Sequence, residues 1–406
     1  MFIREQEGAT VARLMQTPAA PLAAGTSVQE IDCGEALASL RDPWSELLRA
    51  SASNGIFLTW EWLVHWWQQL GHVRGRLRVL VVRRAGRIIA IAPLIERERQ
   101  PGRLWPFRTL EFMGMGSVGS DYLDFLVRAG EEAPAVAALT DRLARERTVF
   151  EFRRVAAGSP MVLRVARRLE ERGWTVTEGV EEACPYVRLE GHDWESYLAS
   201  LGSAHRQNLR RCLRRIERDF EPVFEEVETE AQRSACLKVF ENLHRQRWDA
   251  RGGSDALTGE AVMRFHDTFS RLALERGWLR LSVLRLSGRP AAAVYAFCYA
   301  NVVHYYQAGF DPAFRRYSVG LAAMGLGIRA AIAQGLGEYD LLHGAEAYKS
   351  LWARNRRELL CIRCFPPGLR GFVPYRTERL REVLKALRRR VPGPARQPSS
   401  ATGARP

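Results

Sequence analysis

An α/β fold, with a mixed sheet assembled from two tandem copies of one unit, is what this sequence predicts, and three observations predict it. Two stretches look alike: "LRVLVVRRAGRIIAIAPL" from Leu77 and "LRLSVLRLSGRPAAAVYA" from Leu279. Each runs from Leu-Arg through an apolar strand to a Gly-Arg turn, Gly86-Arg87 or Gly288-Arg289, and enters a second apolar strand, which is a β-hairpin signal. Each hairpin follows a stretch with helical apolar spacing, and the second is followed by strand, helix and strand. At 406 residues, 47% of them hydrophobic, the chain is long enough to bury about two such cores.

The elements follow in order. Residues 1–27 are small, polar and proline-bearing, so a disordered N-terminal segment is expected there. The first domain is expected over 28–190. In it "TWEWLVHWWQQLG" reads as an amphipathic helix with Thr59 as N-cap, ahead of the first hairpin. The second domain is expected over 191–371. It begins with an arginine-rich helix, then helices Gln232 to Arg247 and Thr258 to Arg276, the latter capped by Thr258. Strands follow at Leu279 to Leu286, Pro290 to Tyr299 and "VVHYYQAGF" from Val302. A long helix from Val319 to Gln334 stops at Gly335, strand Glu338 to Leu342 comes next, and "RELLCIRCF" closes the unit as a strand. Residues 372–406 read as a basic helix and a disordered tail.

Composition excludes several classes. No apolar run approaches the roughly 18 residues that span a bilayer, and the first residues lack the apolar centre of a signal peptide. The seven cysteines are odd in number and scattered, which suits reduced thiols and a cytoplasmic location. Cys361 and Cys364 in "CIRC" point to opposite faces of a strand, so no metal site is expected from them. The formal net charge is +14, and all but three of the 60 basic residues are arginines. That excess favours phosphates, nucleic acid or an anionic membrane surface.

Three stretches could carry chemistry. In "RRYSVGLAA" Ser318 stands at the expected N-cap, and the open amides of a first helical turn attract phosphate. In "YDLLHGAEAYKSLW", Asp340, His343, Glu346, Tyr348 and Lys349 crowd around Gly344 just after a buried strand. In "HRQNLRRCLRRIERDF", Arg206, Arg210, Arg214 and Arg218 recur at i, i+4 beside the stripe Leu209, Cys212, Leu213, Ile216 and Phe220. Such a ridge repels itself unless it meets anions or is screened. Beyond these, "TERLREVLKALRRR" places Leu380, Val383, Leu384 and Leu387 on one side, suiting a membrane surface or an ordinary docking helix.

With these residues in view, "YSVGLAAMGLGIRAAIAQGLGEYDLLHGAEAYKSLW" resembles the core signature of the GNAT-type acyltransferases related to the cellulose-biosynthesis protein CelD. "HRQNLRRCLRRIERDF", "HRQRWDARG" and "FLTWEWLVHWW" resemble that family's other recurring segments. The tandem arrangement is also similar to the FemAB-type peptidoglycan aminoacyltransferases. The resemblance implies two tandem GNAT-like domains. It also implies an acetyl-coenzyme A or other acyl-coenzyme A donor, with the pyrophosphate held at Arg316, Tyr317, Ser318, Val319, Gly320, Leu321 and Ala322. The family's phosphate loop usually opens with Arg or Gln; here Gly320 and Ala322 fit, while Tyr317 holds the first position and Arg316 lies one place off.

Acyl transfer from a thioester needs a base for the acceptor and an acid for the leaving thiolate. His343 suits the base, and Tyr348 resembles the tyrosine this fold places after the strand as thiol acid. Asp340 or Glu346 could orient the imidazole. His304, on "VVHYYQAGF", is the rival base. Arg206, Arg210 and Arg214, with Trp248 and Lys349, are the candidate acceptor-binding residues. The acceptor implied is a small molecule or glycan, an exopolysaccharide or cell-envelope precursor that could be lipid-linked, met at the inner face of the membrane. The Trp-rich helix of the first domain would help frame its cleft. Two alternatives remain at this point: an aminoacyl-tRNA-dependent transferase, and a non-catalytic tandem domain that binds nucleic acid or another polyanion through its arginines.

Overall fold

The computed structural model describes residues 25–99, 107–249, 257, 259–344 and 346–390, and backbone alone at 99, 107, 160, 248–249 and 381–390. Its first half runs β1 (Thr26–Ile31), α1 (Gly34–Ala38), α2 (Arg41–Arg49), α3 (Trp60–Trp66), β2 (Arg76–Leu77), β3 (Val79–Arg84), β4 (Arg87–Ala92) and β5 (Leu94–Arg99). It continues through β6 (Phe107–Phe112), β7 (Leu126–Val127), α4 (Glu132–Leu143), β8 (Val149–Ala156), α5 (Pro160–Glu170) and β9 (Thr175–Arg188). The second half runs α6 (Trp194–Ser200), α7 (Ser203–Asp219), β10 (Pro222–Glu226), α8 (Glu230–Asp249), α9 (Glu260–Glu275), β11 (Leu279–Leu286), β12 (Arg289–Tyr299) and β13 (Val302–Phe310). A 3-10 turn (Pro312–Tyr317) leads to α10 (Val319–Ala333), β14 (Glu338–Asp340), α11 (Lys349–Trp352), β15 (Asn355–Phe365) and α12 (Leu369–Arg390).

The duplicated hairpins are present and share their turn chemistry. Ala85 and Gly86 in the first, Ser287 and Gly288 in the second, all have positive φ, between 46° and 81°. Two successive left-handed residues make the turn whose twist matches the flanking strands. The copies then differ. β12 is continuous over 11 residues, whereas its counterpart breaks into β4 and β5 at Pro93, which has no amide to give a ladder. That break divides the strands into a four-stranded sheet, β1-β3-β4-β7, and an eleven-stranded one, β10-β11-β12-β13-β14-β9-β15-β8-β6-β5-β2.

Each half lends a strand to the other. β9, the last strand of the first half, lies between β14 and β15, and β15 of the second half lies between β9 and β8. The larger sheet therefore crosses the boundary at 190/191 without interruption. The core does so too: Trp62 of α3 meets Phe265, Phe269 and Phe297 edge-on at 4.9, 4.7 and 6.1 Å. Because α3 is wedged between the halves, it is buried almost all round instead of amphipathic. Thr59 does cap it, accepting from the Trp62 amide at 3.2 Å.

Several boundaries differ from the sequence reading. β1 begins at Thr26, inside the segment expected to be disordered, because its alternate residues pair with β3. Thr258 lies outside the described residues, and α9 is capped by Gly259. The division at 371/372 falls within α12. Residues 1–24 and 391–406, expected as disordered segments, lie outside the described residues. Among the described residues no helix is long and apolar enough to cross a membrane.

Two strand pairs are parallel and short: β13 with β14 over three residues, and β6 with β8 over three. Beyond them the strands part. In the first half the returning loop fills the gap, with Leu123 bridging to Val155 and Met113, Val118 and Phe125 buried. In the second half the gap stays open.

Candidate functional site

The open gap is a cleft of about 330 Å³. Its walls come from β13 (Tyr305 to Ala308), from the chain leaving β14 (Leu341 to Gly344, then Glu346, Tyr348 and Lys349), from Arg247 of α8, and from Gly116 to Gly119 of the first half. The strands part because of Asp340. Its Oδ1 accepts the Leu342 amide at 2.8 Å, and Leu342 takes a left-handed φ of 54°, which turns the chain off the ladder and brings His343 to the cleft.

His343 is oriented by a residue from the other half. Its Nδ1 lies 2.8 Å from Asp121 Oδ2, and the same oxygen accepts the His343 backbone amide at 3.0 Å. Asp121 is wholly buried. A carboxylate on Nδ1 fixes the proton there and leaves Nε2 free to accept one. The imidazole itself is about one-third exposed, so this free nitrogen belongs to a ring that solvent and ligand can reach.

Neither carboxylate expected from the sequence performs that task. Asp340 Oδ2 accepts the Tyr122 hydroxyl at 2.6 Å, and Arg357 lies 3.5 Å away. Burial pushes the Asp340 carboxyl up to about 7 despite the hydrogen bonds it receives from Tyr122 and Leu342. Glu346 pairs with Lys349 at 3.1 Å. Burial works to raise the Glu346 carboxyl, but the ammonium beside it and other favourable contacts leave it below its ordinary value. The error has a simple source: strand alternation places Asp340 close in sequence to His343, but the turn at Leu342 points them apart.

Lys349 also differs from expectation. Its ammonium is buried and donates to the carbonyls of Leu342 and His343 at 3.3 and 2.6 Å as well as pairing Glu346. Its three donors are thereby committed to the turn, so it holds the loop instead of meeting an acceptor. Tyr348 lines the cleft, and burial raises its hydroxyl above the ordinary value while the nearby Arg247 guanidinium offsets part of that. His304 is buried under the cleft, against Phe57 at 5.9 Å, and burial pulls it down to about 4. It stands neutral at physiological pH and does not reach the cleft wall. The Trp248 side chain lies outside the described residues.

At the start of α10, Ser318 occupies the N-cap position in a left-handed conformation (φ 52°) and its side chain makes no cap bond. The amides of Val319 and Gly320 have no intrahelical carbonyl to meet, as at any helix start. Gly320 sits so close to Phe310 that a Cβ would lie 3.3 Å from the ring. The Arg247 guanidinium, which lines the cleft, lies over the same ring, 5.5 Å from its centroid. Phe310 thus lies against both the helix start and a residue of the cleft wall.

The arginine helix α7 packs beside this helix start. Cys212 Sγ donates to the Tyr317 carbonyl at 2.8 Å, and Arg215 donates to the Arg316 carbonyl at 3.2 Å. Arg215 and Arg316 both lie over the Tyr317 ring, at 4.7 and 4.9 Å. The ridge expected to meet an acceptor is therefore a neighbour of the expected donor turn, because its apolar stripe docks on α10. Of its members, Arg206 caps the end of α6 through the Ala199 carbonyl at 3.0 Å, Arg210 pairs Glu195 at 2.5 Å, and Arg214 is exposed, its Nε 3.4 Å from the Arg210 carbonyl.

The residues missed altogether are Asp121 and Tyr122, in "MGMGSVGSDYLDF". Trp62 Nε1 donates to Ser120 at 2.8 Å and Tyr306 donates to the Val118 carbonyl, so the Trp-rich helix supports this loop from behind and does not line the cleft. The available signal was the run of glycines. A Cβ on Gly114 would meet Ser120 Oγ at 2.6 Å, and Gly119, with φ 54°, backs onto His343 Cε1.

Residues 203–350 match the family model described as the acetyltransferase (GNAT) domain. No curated protein matches the chain in sequence. Among solved structures, FemX superposes with a TM-score of 0.54 at 12% identity, covering 82% of this chain and 96% of its own. L-PGS from Bacillus licheniformis gives 0.48 at 11% identity (86% and 97%), and a tandem GNAT protein from the clavulanic acid biosynthesis pathway gives 0.42 at 12% (83% and 98%). Residues 203–350 thus match an acetyltransferase (GNAT) domain, and the two halves together form a tandem GNAT-like mixed α/β fold.

Proposed function

We propose that this protein is an acyltransferase that moves an acetyl or other acyl group from acyl-coenzyme A to an amino or hydroxyl group of an exopolysaccharide or cell-envelope precursor. The observation that carries the reading is the His343–Asp121 pair at the point where β13 and β14 part, with Phe310 lying against both the helix start at Gly320 and Arg247 of the cleft wall. The amides of Val319 and Gly320, with Arg215 and Arg316 beside them, suit a pyrophosphate. The acyl arm would pass Phe310 into the cleft. His343 Nε2 takes the acceptor proton, Asp121 stabilises the imidazolium, and Tyr348 gives its proton to the departing thiolate. The acceptor class rests on the sequence resemblance to CelD-related proteins. A cytoplasmic location at the inner face of a membrane draws on α12, whose Phe372, Val373 and Leu380 are exposed beside Arg370, Arg376 and Arg379.

A second reading, transfer from aminoacyl-tRNA, draws on the exposed Arg211 and Arg214, which show no acidic partner among the described residues. One experiment separates the two. Acetyl-coenzyme A should raise the melting temperature of the purified protein, and Gly320→Glu should abolish that rise by placing a carboxylate on the pyrophosphate's amides. His343→Ala should keep the rise and lower acetyl-coenzyme A turnover by about 10²-fold. No rise with acetyl-coenzyme A, together with salt-sensitive tRNA binding, would favour the second reading.

A further inference from the structure

Asp121 is held from two sides, one partner coming from each half of the chain. His343 Nδ1 lies 2.8 Å from its Oδ2. Its other oxygen, Oδ1, has the Arg154 guanidinium of β8 beside it, with Nη1 at 3.8 Å. The two partners occupy corresponding places in the duplicated unit. The short parallel pair of each half ends at Glu151 in β8 or Asp340 in β14, and Arg154 and His343 each come three positions later. Both charges of the new pair are sheltered, since the Arg154 side chain is 16% exposed and that of Asp121 not at all.

The backbone is bent to make this contact. β15 pairs Leu360 with Val155 and Ile362 with Phe152, so Arg153 and Arg154 together face Cys361 in a β-bulge, and Arg154 takes a left-handed φ of 60°. A bulge re-aims a side chain, and an arginine keeps that conformation only where its surroundings hold it. On the other side of β15 a second irregularity answers the first: pairing passes from Leu359–Glu182 to Leu360–Val180 and skips Glu181. Glu181 accepts the Arg154 amide at 3.2 Å, lies 3.7 Å from its Nε, and pairs with Arg153. The loop that carries Asp121 is fastened to the same bulge, because the Leu123 amide donates to the Arg154 carbonyl at 2.9 Å.

We propose that Arg154 is a positioning residue for the His343 base: it fixes Asp121 through Oδ1 and balances its charge, so that Oδ2 stays on the imidazole. This deepens the acyltransferase reading, and its kinetic consequence rests on that reading. A charge beside a buried carboxylate is little screened by solvent. The other titratable groups around Asp121 are Cys184 of β9, 3.9 Å from Oδ2, and His304 and Tyr306 of β13, with Tyr122 and Asp340 joined at 2.6 Å beyond them. The Lys349 ammonium sits on the His343 carbonyl, and Arg357 lies beside Asp340. Glu181 keeps Arg153 as its partner when Arg154 is replaced. Neutralising Arg154 therefore takes one positive charge from beside the His343–Asp121 pair, and the pair then holds a proton more readily whichever of the two carries it.

The test titrates the full chain carrying ring-13C-labelled histidine by NMR; of the eight histidines, the His343 signal is the one lost in His343→Ala. Arg154→Gln should move the midpoint of that signal to higher pH, and Arg154→Lys, which keeps the charge, should return it to the parent position. With acetyl-coenzyme A, the ratio of thiol release at pH 6 to that at pH 8.5 should fall about tenfold in Arg154→Gln and recover in Arg154→Lys, whereas a merely structural loss would lower both rates alike. Arg153→Gln, which removes the neighbouring cation that pairs with Glu181, should move the midpoint less. A midpoint unmoved in Arg154→Gln, or moved equally by Arg153→Gln, overturns the inference. Where Arg154→Gln does not fold, Arg154→Lys decides: the parent midpoint supports the inference and a higher one overturns it. The ring titration needs no donor, so absence of any melting shift with acetyl-coenzyme A would overturn the acyltransferase reading while the midpoints still judge Arg154.

Discussion

Asp340 makes stability depend on pH in a way that one substitution should remove. The side chain is wholly buried, and burial lifts its carboxyl from an ordinary 3.8 to about 7, even though Tyr122 and Leu342 donate to it at 2.6 and 2.8 Å. At about 1.36 kcal/mol per pH unit, that gap amounts to about 4 kcal/mol. The folded protein keeps this proton to higher pH than the unfolded chain does, so stability falls as pH rises from about 4 to about 7. Above that range the full cost of burying the charge is present. Asp340→Asn keeps the shape and the acceptor for the Leu342 amide but cannot ionise. Its stability relative to the parent should match below about pH 4 and gain up to about 4 kcal/mol by pH 8, with more than half of that gain falling between pH 5 and pH 8. Urea denaturation followed by tryptophan fluorescence at half-unit steps measures both curves, and taking their difference cancels the buried histidines. A difference that stays constant from pH 5 to pH 8 would falsify the account of Asp340 as a buried carboxylate.

Three further outcomes are expected. Asp121→Asn replaces a charged hydrogen bond worth about 1.5–3 kcal/mol with a neutral one, so thiol release should drop roughly 10- to 150-fold with the acetyl-coenzyme A melting shift unchanged; an undiminished rate would remove Asp121 from the reaction. Arg215→Ala should weaken acetyl-coenzyme A binding, measured by calorimetry, more than Arg210→Ala does, because Arg215 lies on Tyr317 beside the helix start while Arg210 is engaged with Glu195; the reverse order would place the donor elsewhere. Lys349→Met leaves the Leu342 and His343 carbonyls without their donor and should cost about 2 kcal/mol of stability in urea. A variant as stable as the parent would show that the turn holds without it.

Much of the fold was legible because it is written in local pattern. Both hairpins, the capped Trp helix, and the strand, helix and strand order of the second half depend on periodicity and turn residues within a few positions. The break at Pro93 was legible in principle, since a missing amide is a local fact. The placement of α7 was not. Its apolar stripe announces a docking face, but only packing shows that the face meets α10, which turns an expected acceptor ridge into a neighbour of the donor turn.

The sequence by itself determined the residue types at the site: an imidazole, a tyrosine and two carboxylates around Gly344, and a glycine-bearing helix start after an arginine pair. It also determined that the unit is duplicated. Tertiary structure decided which groups meet. Asp121 stands 222 positions from His343 and belongs to the other half, so no local spacing links them. The two are joined because β9 and β15 exchange places in one continuous sheet, and because the first half's own strand gap is filled by a loop whose tip reaches the second half's open one. A pairing made by strand exchange depends on the summed burial of both halves, and that sum exists only once the chain has folded.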